Sequence, residues 1–236
     1  MWWTYCKNKK IVHSISLERK IITTLDGSTT LQMVDWQECY HSKHGAIQEA
    51  YHVFIKNGLD LMPNPSVSIL EIGFGTGLNA YITLLEAQKK GLTIDYVGVE
   101  AYPVSLQEAM AMNYPVLLGH DANEFRRMHE SNWEQKINFN SHFSLTKRKQ
   151  LFEEIVDQEQ FDLIYFDAFG YQYQPDLWSS TIFKKMYQSL KENGVLVTYA
   201  ARGVVKRSMQ EVGFSVRKVP GPPGKREMMI GFKNFT

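Results

Sequence analysis

Residues 69–79 read Ile-Leu-Glu-Ile-Gly-Phe-Gly-Thr-Gly-Leu-Asn. Three glycines at alternate positions follow an apolar run over 67–72 and precede a stretch with helical character. Strand, glycine turn and helix in that order build a ligand site at the carboxyl edge of a parallel sheet. Lacking a Cβ, the turn can approach a ligand closely and adopt backbone angles that other residues avoid. The rest of the chain must therefore supply further parallel strands and the helices that cross between them.

The apolar pattern supplies them. Strands are predicted over 67–72, 94–100, 142–146, 161–166 and 194–200, and helices over 76–90, 103–113, 177–191 and 203–212. Such alternation implies a doubly wound, mostly parallel sheet with right-handed crossovers. Two last strands, near 214–219 and 227–232, are joined through Pro220-Gly221-Pro222-Pro223-Gly224. A connection this short suits an antiparallel pair, so the sheet should end in one reversed strand. Before the core, residues 20–25 and 28–34 flank Asp26-Gly27 and read as a β-hairpin. Apolar residues recur at helical spacing over 45–61, with Pro63 and Pro65 as the stop. The segment 114–160 is less regular. We divide the chain into an N-terminal β/α extension, 1–62, and a core domain, 63–236.

Composition narrows the function classes. The 236 residues are 44 % hydrophobic, enough for one substantial core. A net charge of +1 excludes a globally basic nucleic-acid coat, so any RNA contact must be local. Cys6 and Cys39 stand in no metal or redox spacing and read as reduced thiols of a cytoplasmic protein. The first residues hold no apolar stretch of signal-peptide length, and no apolar run is long enough to span a membrane. His41, His44 and His52 lack the carboxylate or cysteine that would complete a tetrahedral set, so no metal is expected.

Glycine spacing separates the cofactor classes. A dinucleotide turn needs its third glycine or alanine three residues after the second, whereas Gly77 follows Gly75 by two. With Glu71 ahead of it, the pattern E-x-G-x-G-x-G resembles the first motif of S-adenosylmethionine (SAM) methyltransferases. Glu100, at the end of the next strand, is placed to accept both ribose hydroxyls. The expected architecture is thus a Rossmann-like SAM-dependent methyltransferase fold with an N-terminal hairpin. Asp167 ends the apolar strand 161–166 on the same sheet edge as the turn. A carboxylate there suits an amine acceptor, because it can orient the N–H bonds and stabilise the ammonium formed on transfer.

The run Phe166-Asp167-Ala168-Phe169, followed by Gln174-Pro175-Asp176-Leu177-Trp178, resembles the methyltransferase domain of the MnmC family. Three further stretches agree: Tyr40 to Ala46 with Glu49 and His52-Val53-Phe54, Gly73 to Asn79, and Lys225-Arg226-Glu227-Met228. The resemblance runs from about Leu25 onward. It implies SAM-dependent methylation of the aminomethyl group of 5-aminomethyl-2-thiouridine at the tRNA wobble position. It also implies a stand-alone type, without the FAD-dependent oxidase domain of the fused family members.

The cofactor set it implies is Tyr40, Glu71, Gly73, Phe74, Gly75, Gly77, Asn79, Glu100, Gln150 and Asp167, with Asp167 also catalytic. Gln150 stands in because the acid usual in the family before the catalytic strand is missing from Ser144 to Gln150. Phe169 and Trp178 are candidates to stack on the uracil, within an aromatic group that includes Tyr171 and Tyr173. Arg202, Lys225 and Arg226, with Lys206, Arg207, Arg217 and Lys218, are candidates to track anticodon stem-loop phosphates. Lys147 to Lys149 form a further basic run. The competing readings are a methyltransferase for a small-molecule amine and a catalytically silent RNA-binding module.

Overall fold

A computed structural model of the chain describes residues 18–233, so Cys6 lies outside the described residues. The hairpin forms from β1 (Arg19–Thr23) and β2 (Thr29–Met33), with Thr23 opposite Thr29. Its connection is therefore residues 24–28, longer than the two-residue Asp26-Gly27 turn expected. The side chain of Asp26 is the reason. Its carboxylate accepts from Thr24 Oγ1 at 2.7 Å, Ser28 N at 3.0 Å and Gln48 N at 3.1 Å, which stabilises the wider loop and ties it to the following helix.

That helix is α1 (Ala46–Ala50), continued by a π-helical segment over Tyr51–Lys56. It ends at Asn57 and Gly58, ahead of the prolines named as its stop, and a 3₁₀ turn covers Leu59–Leu61.

Next come β3 (Ser66–Ile72), α2 (Leu78–Lys90), β4 (Thr93–Val99), α3 (Leu106–Met110), α4 (Tyr114–Leu117), α5 (Asn123–Glu130), β5 (Lys136–Asn138) and β6 (Phe143–Arg148). The remainder is β7 (Phe161–Phe166), α6 (Ser180–Ser189), β8 (Leu190–Thr198), α7 (Gly203–Glu211), β9 (Ser215–Pro220) and β10 (Glu227–Phe232). The sheet runs β5-β6-β4-β3-β7-β8-β10-β9. From β6 to β8 it is parallel, and β10 is the reversed strand, pairing antiparallel with both β8 and β9. At the opposite edge the short β5 adds a second reversed pairing that the sequence pattern did not announce.

Both faces of the sheet are buried, which is why its central strands read as near-continuous apolar runs. Along β3, Ile69 faces one core with Tyr81, Tyr96 and Tyr165, while Leu70 and Ile72 face the other with Phe166, Phe183 and Met186. The chain moves outward from β3 through β4 to β6 and then returns to β7 on the other side of β3. The order reverses between β3 and β7, and a crevice opens beyond their carboxyl ends.

Candidate active site

A cleft of about 730 Å³ occupies that crevice. The glycine turn forms one wall, and the left-handed angles found there explain its composition. Gly73 has φ +91°, and a Cβ on it would stand 2.6 Å from the carbonyl oxygen of Asp167. Gly75 has φ +50°, and a Cβ would meet the Tyr40 ring at 3.1 Å. Tyr40, delivered by the segment after the hairpin, thus lies directly over the turn. Glu100 closes the far end: Gly75 N donates to its Oε2 at 3.0 Å and Tyr102 N to its Oε1 at 2.9 Å. Each oxygen keeps accepting capacity for a hydroxyl. Beside it, Ala101, Leu151 and Phe152 offer an apolar slot of the kind a purine ring fills. The volume, the bare glycine wall and the two-oxygen acceptor fit SAM.

The opposite end of the cleft is acidic at depth and aromatic at its mouth. Asn79, at the start of α2, gives both hydrogens of its amide to carboxyl groups: Asp167 Oδ2 and Glu71 Oε1, each at 2.9 Å. Glu71 is wholly buried within β3, and burial holds its carboxyl well above the usual carboxylate range. It stands behind Asn79 and does not line the cleft. Asp167 keeps a partly exposed face on the cleft, although protein crowds it on its other sides. Its carboxyl is pushed up to about 7, first by burial and then by the charge of Glu49; the Asn79 bond and Lys225 oppose the rise.

Around the mouth, Trp36 stacks on Tyr173 with centroids 5.9 Å apart and meets Phe169 edge-on at 5.8 Å. Tyr40 meets Phe169 edge-on at 4.9 Å.

The structure brings together Tyr40, Gly73, Phe74, Gly75, Asn79, Glu100, Asp167, Phe169 and Lys225 in the lining of one cleft. Other candidates require correction. Gln150 is not among the lining residues, and its neighbours Leu151 and Phe152 take that place. Phe74 lines the cleft, but its ring is buried against His129 and Trp133. Gly77 shapes the turn from outside the cleft, beside His129. Trp178 is 1 % exposed, so it cannot stack on a base; its indole N–H donates to Phe169 O at 2.8 Å and fixes the loop that carries Phe169.

Among the basic candidates, Lys225 is not a surface phosphate ligand, because its ammonium points into the cleft and pairs with Glu49. Arg202 stands outside the lining, held by Gln172 Oε1 at 2.8 Å, and Arg226 is exposed. The Lys147 run is no patch either. Lys147 is buried with its ammonium on His129 O, and Arg148 is paired with Asp157 at 2.8 Å. The histidines are separately engaged: His41 Nδ1 bonds Thr30 Oγ1 at 2.9 Å and His52 Nε2 bonds Pro220 O at 2.8 Å.

Sequence reasoning assigned no role to Glu49, Tyr199, Trp36 or Leu151. Signals existed for Tyr199, which follows β8 at the same carboxyl edge as Glu100 and Asp167, and for Glu49, which stands in one of the stretches that resemble the MnmC family.

Known proteins resemble the chain in sequence and in fold. A profile described as S-adenosyl-L-methionine-dependent methyltransferase matches residues 122–234. The bifunctional protein MnmC of Ralstonia nicotianae, named for tRNA 5-methylaminomethyl-2-thiouridine biosynthesis, is 30 % identical over 220 residues, covering 83 % of this chain and 32 % of that protein. The protein of the same name from Hydrogenovibrio crunogenus is 30 % identical over 234 residues, covering 91 % and 34 %. The chain thus spans about a third of the length of these relatives.

Among solved structures, MNMC2 from Aquifex aeolicus superposes with a TM-score of 0.75 at 23 % identity, covering 92 % of this chain and 71 % of that one. Spermidine synthase from Thermotoga maritima gives 0.60 at 15 % identity, with 91 % and 68 % covered. Both show the fold. The chain is thus a homologue of the MnmC proteins over most of its own length, and residues 122–234 are similar to the S-adenosyl-L-methionine-dependent methyltransferase profile.

Proposed function

We propose that the chain transfers a methyl group from SAM to the aminomethyl nitrogen of 5-aminomethyl-2-thiouridine at the tRNA wobble position. The observation that carries this reading is Asp167, a carboxylate facing the same cleft as the glycine turn with its proton affinity raised. SAM, when bound, supplies a methyl group on a positively charged sulfur. Asp167 accepts an N–H bond from the amine and is matched near neutrality to take its proton. With that proton on Asp167, the amine nitrogen would have a free lone pair to take the methyl group that SAM would supply, the C–S electron pair staying with sulfur. Phe169, Tyr40 and Trp36 give the base an aromatic wall at ~1–3 kcal/mol per stacked base.

Because the acceptor must be ionised, kcat/KM should rise through a pKa near 7 and level off above it. Residual activity of Asp167→Asn should lack that rise, and an unaltered profile would remove the role.

The basic residues of α7, β9 and the β9–β10 loop support an RNA footprint. Lys218 pairs with Glu227 at 2.7 Å, and Arg226 and Lys206 also draw that carboxyl down, so the three cations share one face. The double reversal Lys206→Glu/Arg226→Glu should weaken tRNA binding at least tenfold and flatten its salt dependence, with SAM affinity unchanged. Filter binding at several salt concentrations and calorimetry check both halves.

The division into an extension, 1–62, and a methyltransferase domain, 63–236, belongs to the same reading, with the described part of the extension, from residue 18, packed on the domain. Asn113 Nδ2 donates to Gly27 O at 2.9 Å and Arg19 pairs with Glu108 at 3.2 Å, which keeps Tyr40 over the turn. Labelled-methyl transfer to bulk tRNA from cells lacking this gene tests the whole proposal. Transfer to free amines with none to tRNA would replace it with the small-molecule reading.

A further inference from the structure

We propose that Glu49 is the second anionic ligand of the acceptor amine, and that Lys225 occupies the amine's place until substrate displaces it. The inference rests on the reading above, that a primary amine is the methyl acceptor.

Glu49, on α1, lines the cleft with its side chain only 9 % exposed. Its Oε2 accepts from Ser42 N at 2.8 Å, which fixes the carboxylate, and its Oε1 pairs with the Lys225 ammonium. That ammonium also sits 3.8 Å from the centroid of the Tyr199 ring. Tyr199 is held in turn by its hydroxyl, which donates to Ala168 O at 2.8 Å, one residue beyond Asp167. A carboxylate facing an aromatic ring is the arrangement that recognises alkylammonium groups. A lysine ammonium and a protonated aminomethyl group are the same chemical species, a primary alkylammonium. The charges of Glu49 and Lys225 both act on Asp167, and all three line one cleft, so this subsite borders the catalytic carboxylate.

The exposures of the two partners differ in the direction exchange requires. Lys225 is 31 % exposed and can return its charge to water by rotating its stem, whereas Glu49, 9 % exposed, is poorly hydrated and gains from another cation when Lys225 leaves. The backbone need not move. Lys225 N donates to Pro222 O at 2.9 Å, and Gly224, at φ +84°, is packed against the His44 ring. One cation replaces another, so no net charge is buried. When the bound ammonium yields its proton to Asp167 and attacks, the secondary ammonium formed keeps a positive charge for Glu49 to hold. A neutral group at the same position, such as a methyl, gains nothing from displacing Lys225, and this makes the pair a selector for amines.

Two measurements test the proposal. The first needs neither RNA nor SAM: propylammonium chloride should raise the thermal midpoint of Lys225→Ala saturably, by about 3 °C relative to equal sodium chloride. It should leave the Lys225→Ala/Glu49→Gln double variant unmoved. Absence of the rise, or its persistence in the double variant, overturns the subsite.

The second compares dissociation constants of anticodon stem-loops carrying 5-aminomethyluridine or 5-methyluridine at the wobble position. Preference for the amine should fall about tenfold in Glu49→Gln and increase in Lys225→Ala. A preference unchanged in either variant overturns the exchange. A propylammonium response together with absence of tRNA methylation by the wild type would retain the ammonium subsite and reject the tRNA reading.

Discussion

Asp167→Asn is expected to lose about 10²–10⁴ of kcat while SAM affinity stays within a few fold. The substitution keeps the shape of the side chain and removes the acceptor proposed to take the amine proton. It leaves untouched the glycine turn and Glu100, the residues proposed to hold the cofactor. The same variant should be more stable than wild type at neutral pH.

The sign follows from a carboxyl whose folded value, about 7, lies above its ordinary one. Below about pH 4 both folded and unfolded chains carry the proton and the group contributes nothing. As pH rises toward 7, the unfolded chain ionises while the folded one resists, so stability is lost; above 7 the loss is complete. Asparagine never ionises. Thermal melts should therefore show a higher midpoint for Asp167→Asn at pH 8 and equal midpoints near pH 3.5. A variant that is less stable at pH 8, or fully active, would mean that Asp167 is an ordinary structural acid.

Gly73→Ala should abolish detectable cofactor binding and destabilise the fold. The position has φ +91°, and a Cβ there would meet the Asp167 carbonyl oxygen at 2.6 Å, a backbone atom with no side-chain freedom to yield. A residue forced into such a region costs about 1–3 kcal/mol, which lowers the midpoint of a chain this size by about 2–4 °C per kcal/mol. The larger effect is geometric. Gly73 N donates to Val99 O at 3.0 Å, and Asp167 N donates to Ile72 O at 2.9 Å, so displacement at Gly73 moves the turn, the Glu100 strand end and Asp167 together. We expect at least a 100-fold loss of SAM affinity, equivalent to about 2.7 kcal/mol. Calorimetric titration decides it, and near-normal affinity would show that the turn is not the cofactor wall.

What could be read before folding was local. Strand β3, the turn and α2 are contiguous in the chain, and the turn's angles demand glycine whatever surrounds it. Strand ends were equally visible, because apolar runs stop where the chain leaves the buried sheet, and Glu100 and Asp167 therefore fell on the ligand edge. Helix α5 was not visible: Phe125 and Met128 are its only buried residues, too few to print a period on the sequence. The π-helical segment over Tyr51–Lys56 was hidden for another reason, since its apolar spacing imitates an ordinary helix.

The sequence by itself determined a SAM-type turn, the parallel alternation around it and a carboxylate at residue 167, because each depends on neighbours a few residues apart. Only the tertiary structure decided which side chains share the cleft. It removed Trp178 and Gln150, turned Lys225 inward and brought Glu49 beside Asp167. Such juxtapositions join segments more than a hundred residues apart. They are fixed by the competition of whole surfaces for burial, a property that no local stretch of chain records.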